Sequence, residues 1–540
     1  MKHPVFALSS ELVDAFAAAS PIRATFWGVA GHDDRWDDLS PLGDAERAAI
    51  LREFADRAAA LPPVESHDER LAHEVLLDFL ALEQDALDHD DPAVDLNNLA
   101  SPPQLLTMAL DTQDTASDAG AAAAAARRAA LPAALRGYQQ NLLAGAERGQ
   151  QVAARQVRRV IAQCEAMQPA AGGEVAAEVA AAYAAFGRWL AQTFLPRTTE
   201  VDGVGEARYR RAVRRFLGTD LDLRETYAWG WERVAALRAE QEREAARLVP
   251  SGDVEEALRL VQHDPAYASP DRAAFLAEMQ RVQAQALAAI DGSTGGTIEF
   301  EVPEALRTLE IRLAPPGSPP GAYYMPPSED LSRPGAIVYG EPEERAVPLF
   351  DQISTAFHEG FPGHHLQVGL QVAMADRLSR LHRVAYGYSG FAEGWALYAE
   401  QRMDELGHYQ SAAARLGYLC NQMARACRVV VDIGLHLGLQ IPRDAPLHAG
   451  QPWNFDRAVE LMVRFAGMEA EHADSEVTRY LGWPGQAISY AVGQREILRL
   501  REQWRAQRRA AGKDEDLAGF HRRVLACGNV ALDTLPRWVL

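Results

Sequence analysis

The chain has 540 residues, 48% of them hydrophobic, enough to build a large core. Lys and Arg total 54 against 75 Asp and Glu, a formal charge of -21, which speaks against a nucleic-acid surface or an anionic membrane as partner. The four cysteines, Cys164, Cys420, Cys427 and Cys527, include no C-x-x-C pair, so neither a disulfide framework nor a cysteine zinc site is expected.

The first apolar run breaks at Ser9, Ser10 and Glu11, before it could serve as the core of a signal peptide, and no run reaches the ~18 apolar residues of a membrane span. The expected compartment is the cytoplasm. From Ser9 to Asp90 apolar residues recur at spacings of three and four, as in Leu51, Phe54 and Ala58 and again in Leu71, Val75, Leu76 and Phe79, which predicts amphipathic helices. An alanine-rich run from Asp118 to Ala130, with Arg127 and Arg128, reads as helix because Ala has the highest helix propensity. Helical patterning continues over Pro132–Cys164, Glu174–Phe194 and Tyr209–Leu248. In the last of these, Tyr227, Trp229 and Trp231 precede alternating Glu and Arg, the pattern of a long solvated helix.

After Asp291 the period changes. Thr297–Val302, Leu309–Leu313 and Ala336–Tyr339 predict short strands, and Pro315–Pro334 between them is Pro- and Gly-rich, a functional loop carrying Tyr323 and Tyr324. Helices return from Glu344 to the C-terminus. The expected fold is mainly α with one small β-sheet, organised as a helical half over 1–290 and a catalytic half over 291–540 whose sheet spans about 297–340.

The chemistry gathers in Phe357–Gln367, F-H-E-G-F-P-G-H-H-L-Q. A His-Glu pair with further His nearby suits a zinc hydrolase, because neutral imidazoles hold the metal and the adjacent carboxylate can deprotonate a bound water. A regular H-E-x-x-H helix puts its two ligands at i and i+4, but here that position is Pro362. On an ideal helix His365 lies roughly 10 Å along the axis from His358, and His364 points about 120° away. The helix must therefore break near Pro362-Gly363, so that His364 or His365 takes the second ligand position.

Glu393, 35 residues after His358, is the expected third ligand from a returning helix; Gly390 and Gly394 beside it permit close packing, and Glu400 lies two turns on. Arg428, Asp432 and His436 share one face of an otherwise apolar helix. They read either as an internal brace or, for His436, as a group reaching substrate or an oxyanion. A second Pro-Gly precedes Gln486 and Tyr490, whose phenol could stabilise charge developing on a carbonyl oxygen.

These motifs resemble the domain of unknown function 885 family, a bacterial group related to zinc peptidases. The likeness runs through His358–Gln367, Glu393–Glu400, Arg428–His436, Pro484–Tyr490 and Phe520-His521, with Ala322–Tyr324 and Pro326-Pro327, over roughly residues 320 to 540. It implies a gluzincin-like helical body with a deep active-site cleft and a sheet edge pairing with substrate. The implied zinc ligands are His358, His364 and Glu393, one ion per chain, with Glu359 as base and Tyr490 and His436 at the oxyanion. Tyr323, Tyr324, Arg428 and Gln486 fall on the substrate side. Where the resemblance leads us to expect Asn after Ala336–Tyr339, this chain has Gly340. The implied activity is hydrolysis of short peptides. Hydrolysis or biosynthesis on a non-peptide amide, and metal binding without turnover, are the rival readings; no nucleic-acid or membrane partner is expected and nothing supports an oligomer.

Overall fold

The computed structural model describes residues 3–167, 177–292, 298–314, 321–340 and 346–540. The protein is mainly helical, 67% helix and 4% strand. Its contacts divide it into two compact units, one of Met1–Val204, Ala375–Tyr386 and Leu481–Trp483, the other of Gly205–Met374, Gly387–Tyr480 and Pro484–Leu540. The division falls after Val204, and the helices from Gly205 to Ile290 share the second unit with the residues that follow them.

The first unit contains the expected amphipathic helices. Pro4–Ala19 and Pro41–Ala59 open on proline, which has no amide hydrogen to leave unsatisfied, and His67–Asp88 opens on a capping box between Ser66 and Glu69. The alanine-rich run is helical, but its helix extends unbroken from Asp118 to Glu147 through Pro132, where the sequence pattern suggested a new segment. Leu131, Leu135, Tyr138 and Leu142 of this helix pack with Val157, Val160, Phe186 and Leu190 in one apolar core. Arg127 is buried there, with its guanidinium donating to Pro21 and His32 carbonyls and to the Thr25 hydroxyl.

In the second unit, α1 (Leu223–Leu248) carries the expected surface charges but is not solvated all round. Tyr227, Trp231, Val234, Leu237 and Ala245 form a buried stripe. The helix α2 (Arg272–Ile290) precedes a three-stranded sheet of β1 (Leu309–Leu313), β2 (Ala322–Met325) and β3 (Gly335–Tyr339). Its order is β1-β3-β2, with β3 parallel to β1 and antiparallel to β2. Two sequence expectations are corrected here. Residues 298–302 form no strand, with Thr297 outside the described residues, and the loop expected over Pro315–Pro334, of which 315–320 also lie outside the described residues, contains β2. Moreover β3 is the central strand and buried throughout, so its ladder groups are already paired and Ala336–Tyr339 presents no free edge.

The rest of the unit is helical: α3 (Gln352–Glu359), α4 (His364–Ala373), α5 (Ser389–Glu405), α6 (Ala412–Leu437) and α7 (Ser489–Ala510). Helix α6 packs along α1, and α5 along α7. The second crossing is backbone on backbone: a methyl group at Gly394 would strike the main chain of Gly493, and one at Gly493 the carbonyl of Gly390. That close approach sets Glu393 on α5 and Tyr490 on α7 in the same neighbourhood. No helix among the described residues is long and apolar enough to cross a membrane.

Candidate metal centre

The helix break expected at Pro362-Gly363 is present. Helix α3 stops at Glu359, residues 360–363 turn through a cis Phe361-Pro362 bond, and α4 begins at His364. Breaking a buried helix frees backbone polar groups that must find partners. Gln283 on α2 supplies two: its amide nitrogen donates to the Ala356 carbonyl at 2.6 Å, and its amide oxygen accepts from Phe361 N at 2.8 Å. The Trp395 indole on α5 donates to the Pro362 carbonyl at 2.9 Å. Both anchors lie outside the motif they hold, and sequence spacing pointed to neither.

The break brings His364 back toward His358. Their rings stand 4.8 Å apart at 87°, and Nε2 of each approaches the same oxygen, Oε2 of Glu393, at 3.2 Å for His358 and 3.5 Å for His364. Among the described residues this trio is the one cluster of His, Cys, Asp and Glu whose ligand atoms could share a metal ion, all within 4.8 Å of one another. A tetrahedron with bonds of about 2.05 Å has edges of about 3.4 Å, which the two His–Glu separations match, while the widest separation in the trio, up to 4.8 Å, is longer than an edge. His358 is almost fully buried, whereas the His364 and Glu393 side chains remain 12% and 19% exposed, which leaves the group open on their side.

His365, the alternative ligand, is committed elsewhere. Its Nε2 donates to the Leu306 carbonyl at 2.7 Å and its Nδ1 accepts from the Tyr324 hydroxyl at 3.0 Å. Burial pushes its pKa down to about 4, so it sits in the core as a neutral imidazole.

Behind His358 stands Glu400, two helical turns beyond Glu393 on the same face of α5. Its carboxylate accepts from His358 Nδ1 at 2.7 Å, Ser354 Oγ at 2.7 Å and Gln422 Nε2 at 3.3 Å, and Tyr409 in turn donates to Ser354 at 3.2 Å. With Nδ1–H donated to Glu400, the Nε2 lone pair of His358 faces the Glu393 carboxylate, an arrangement that needs a positive charge between them. Burial alone would lower the His358 pKa, but the two carboxylates outweigh it and raise it to about 10. Burial would likewise raise Glu393, yet the two imidazoles hold it below the usual carboxylate range. In effect protons stand where a cation would satisfy the same groups.

Glu359 and Tyr490 adjoin this cluster with their functional atoms free. The Glu359 carboxylate is buried and has no hydrogen-bond or ion-pair partner among the described residues; burial first, and then Glu393, raise its pKa. The Tyr490 ring lies nearly parallel to His358, centroids 6.3 Å apart, and its hydroxyl also has no partner among the described residues.

Other residues expected at the site are placed differently. His436 is buried, with Nε2 on the Tyr480 carbonyl at 3.1 Å and 3.4 Å from Asp432, and its ring stacks on Tyr209. Asp432 accepts from the Tyr209 hydroxyl and from Gly485 N, so this pair forms the internal brace. Arg428 donates to the Tyr480 hydroxyl at 2.9 Å and to Glu476 at 2.7 Å, while its guanidinium carbon lies 4.6 Å from the centre of the Tyr490 ring. Gln486 accepts from Arg479 at 2.7 Å. The tyrosines of β2 alternate: Tyr324 turns inward to His365, and Tyr323 is exposed.

The family of bacterial proteins of unknown function DUF885 has a sequence profile that matches residues 21–539. Among solved structures, a candidate lipoprotein from Colwellia psychrerythraea superposes with a TM-score of 0.80 at 21% identity, covering 99% of this chain and 98% of that one. A candidate lipoprotein of unknown function from Shewanella oneidensis gives 0.73 at 17% identity, covering 98% and 99%. At these identities the likeness is one of fold. No curated protein matches the sequence.

Proposed function

We propose that this chain, which belongs to the bacterial family DUF885, is a zinc-dependent hydrolase that cleaves short peptides by metal-activated water. The observation that carries the reading is the convergence of His358 Nε2 and His364 Nε2 on Glu393 Oε2, with the uncommitted carboxylate of Glu359 on the residue next to the first ligand. In this reading His358, His364 and Glu393 hold one zinc ion, and Glu400 fixes the His358 tautomer that presents Nε2. When bound, the ion supplies Lewis-acid polarisation of the scissile carbonyl and lowers the pKa of a water.

The chain's own groups do the rest. Glu359 removes the proton from the attacking water and later delivers it to the leaving amine, a role open to it because no described residue hydrogen-bonds its carboxylate. Tyr490 donates its free hydroxyl to the oxyanion that forms as water adds. His436 carries no step, since its Nε2 is held by Tyr480 and Asp432. The proposed compartment is the cytoplasm; cell fractionation with lipid labelling tests it against the lipoprotein description that both structural neighbours bear.

The deciding experiment joins metal analysis to a peptide-library digest. Purified protein is expected to carry about one zinc per chain. Glu359→Gln is expected to keep the metal and lose hydrolysis by about 10²- to 10⁴-fold. A fully active Glu359→Gln variant, or a zinc-free active protein, defeats the reading. A parallel panel of non-peptide acyl amides separates peptidase from amidase.

A further inference from the structure

Tyr490 stands among guanidinium groups. Arg428 lies over its ring, Arg425 has its guanidinium carbon 5.7 Å from the ring centre, and Arg479 is within electrostatic reach. Arg428 and Arg479 share a single carboxylate in direct contact, that of Glu476, at 2.7 and 2.8 Å.

Arg425 is the member with no carboxylate in direct contact among the described residues. It has no ion pair among the described residues; its NH1 donates only to the carbonyl and side-chain oxygens of Asn421, one turn back, both at 3.3 Å, and its Nε is buried without a partner. It is half-buried rather than solvated; the Glu359 and Asp351 carboxylates lie within its electrostatic reach but neither makes a direct contact that would occupy its donors. On the same helix Gln422, three residues earlier, reaches Glu400 behind the metal cluster, so this stretch of α6 borders the site at both residues.

We propose that Arg425 anchors the free α-carboxylate of the substrate, so that the hydrolase removes a single residue from the C-terminus of a short peptide. The inference rests on the hydrolase reading and names its substrate class. A carbonyl held by the Tyr490 hydroxyl has the carboxylate of the next residue about 3.8 Å farther along the chain, and a charged hydrogen bond adds about 2.8 Å. The Arg425 guanidinium carbon lies 5.7 Å from the Tyr490 ring centre, so a carboxylate one residue beyond that carbonyl comes within the span of a flexible arginine side chain. A carboxylate there would take the guanidinium's free donors in the paired geometry that arginine favours.

The test uses the zinc-loaded protein and pairs of identical tripeptides ending in a free acid or an amide. The acid is expected to be preferred by about ten- to a hundredfold in kcat/KM, the range of a hydrogen bond to a charged group, and mostly through KM. Arg425→Ala is expected to bring that preference close to unity, and Arg425→Lys to restore part of it. Calorimetry on zinc-loaded Glu359→Gln, with and without Arg425→Ala, reads the same preference as binding alone. Equal cleavage of acid and amide by the wild type, or a preference that survives in Arg425→Ala, overturns the proposal while leaving the hydrolase reading intact. Arg425-dependent binding of the acid without any cleavage does the reverse. Absence of both preferences sinks the carboxylate anchor.

Discussion

The hydrogen bond from His358 to Glu400 makes the sharpest test of how the proposed metal site is held. Glu400 is fully buried and accepts three donors, from His358, Ser354 and Gln422, with no competing donor of its own. Glu400→Gln keeps the shape but brings an NH₂ group into a position surrounded by donors. If the amide nitrogen faces His358, Nδ1 must give up its proton, the tautomer reverses, and Nε2–H points at the metal position. If it faces Gln422, two donors oppose each other instead. Either arrangement loses a charged hydrogen bond, about 1.5–3 kcal/mol. Outer partners of metal-bound histidines typically account for 10- to 100-fold in affinity, about 1.4–2.7 kcal/mol, so the two routes agree on scale. Zinc retained against graded chelator concentrations, measured with circular dichroism to establish that the fold persists, gives the number directly. Hydrolysis should return when zinc is added in excess. A folded Glu400→Gln protein whose zinc affinity stays within twofold of wild type would refute the argument that Glu400 sets the tautomer.

Three further outcomes follow from the same geometry. His364→Ala should lose zinc while His365→Ala keeps it and instead unfolds more easily, by roughly 2–4 kcal/mol, because its bonds to Leu306 and Tyr324 are broken inside the core; metal analysis beside urea denaturation separates the two. Gln283→Ala should cost about 1–3 kcal/mol of stability and weaken zinc binding, since Phe361 N loses its acceptor and the turn before His364 loosens; chelator competition checks the second half. The last outcome concerns pH. His521 is buried between Phe300 and Tyr398, its Nδ1 donating to the Glu299 carbonyl and its Nε2 accepting from Tyr398, and burial lowers its pKa to about 3. Since the unfolded chain binds this proton near pH 6.5 and the folded chain does not, His521's contribution is complete above that pH and falls by roughly 1.4 kcal/mol per pH unit down to about 3. His521→Gln should flatten the acid limb of the melting-temperature profile; an unchanged slope would assign the acid sensitivity to other groups.

Much of the molecule was legible in the chain because the signals involved are local. Apolar spacing located the helices of the first unit, and the alternation in Leu309–Leu313 marked a half-buried strand. The distortion at Pro362-Gly363 followed from helix geometry alone, since a proline at the i+4 position cannot be a ligand. Where the reading fell short, the missing information was the identity of a distant partner. Pro132 looked like a boundary, yet the helix continues through it. The charged run on α1 hid a buried stripe because alternating Glu and Arg share that helix with the apolar residues that pack on α6. Arg425 carried no motif at all; its interest lies in lacking the carboxylate that Arg428 and Arg479 possess.

By itself the sequence determined that His358, Glu359 and a second histidine lie within one helix turn of a forced break, because covalent spacing and proline's missing amide hydrogen allow little else. It also marked Glu393 beside glycines able to bring two backbones together. Only the tertiary structure brought His364 to Glu393 and filled both nitrogens of His365 with Leu306 and Tyr324. It likewise set Glu400 behind His358, turned His436 away onto Tyr480, and left the Tyr490 hydroxyl and the Glu359 carboxylate beside the cluster without a hydrogen-bond partner among the described residues. The physical reason is the same in each case. Which atoms a side chain may reach is a property of helix spacing, but which partner competes for them depends on residues that meet only when α2, α5, α6 and α7 pack.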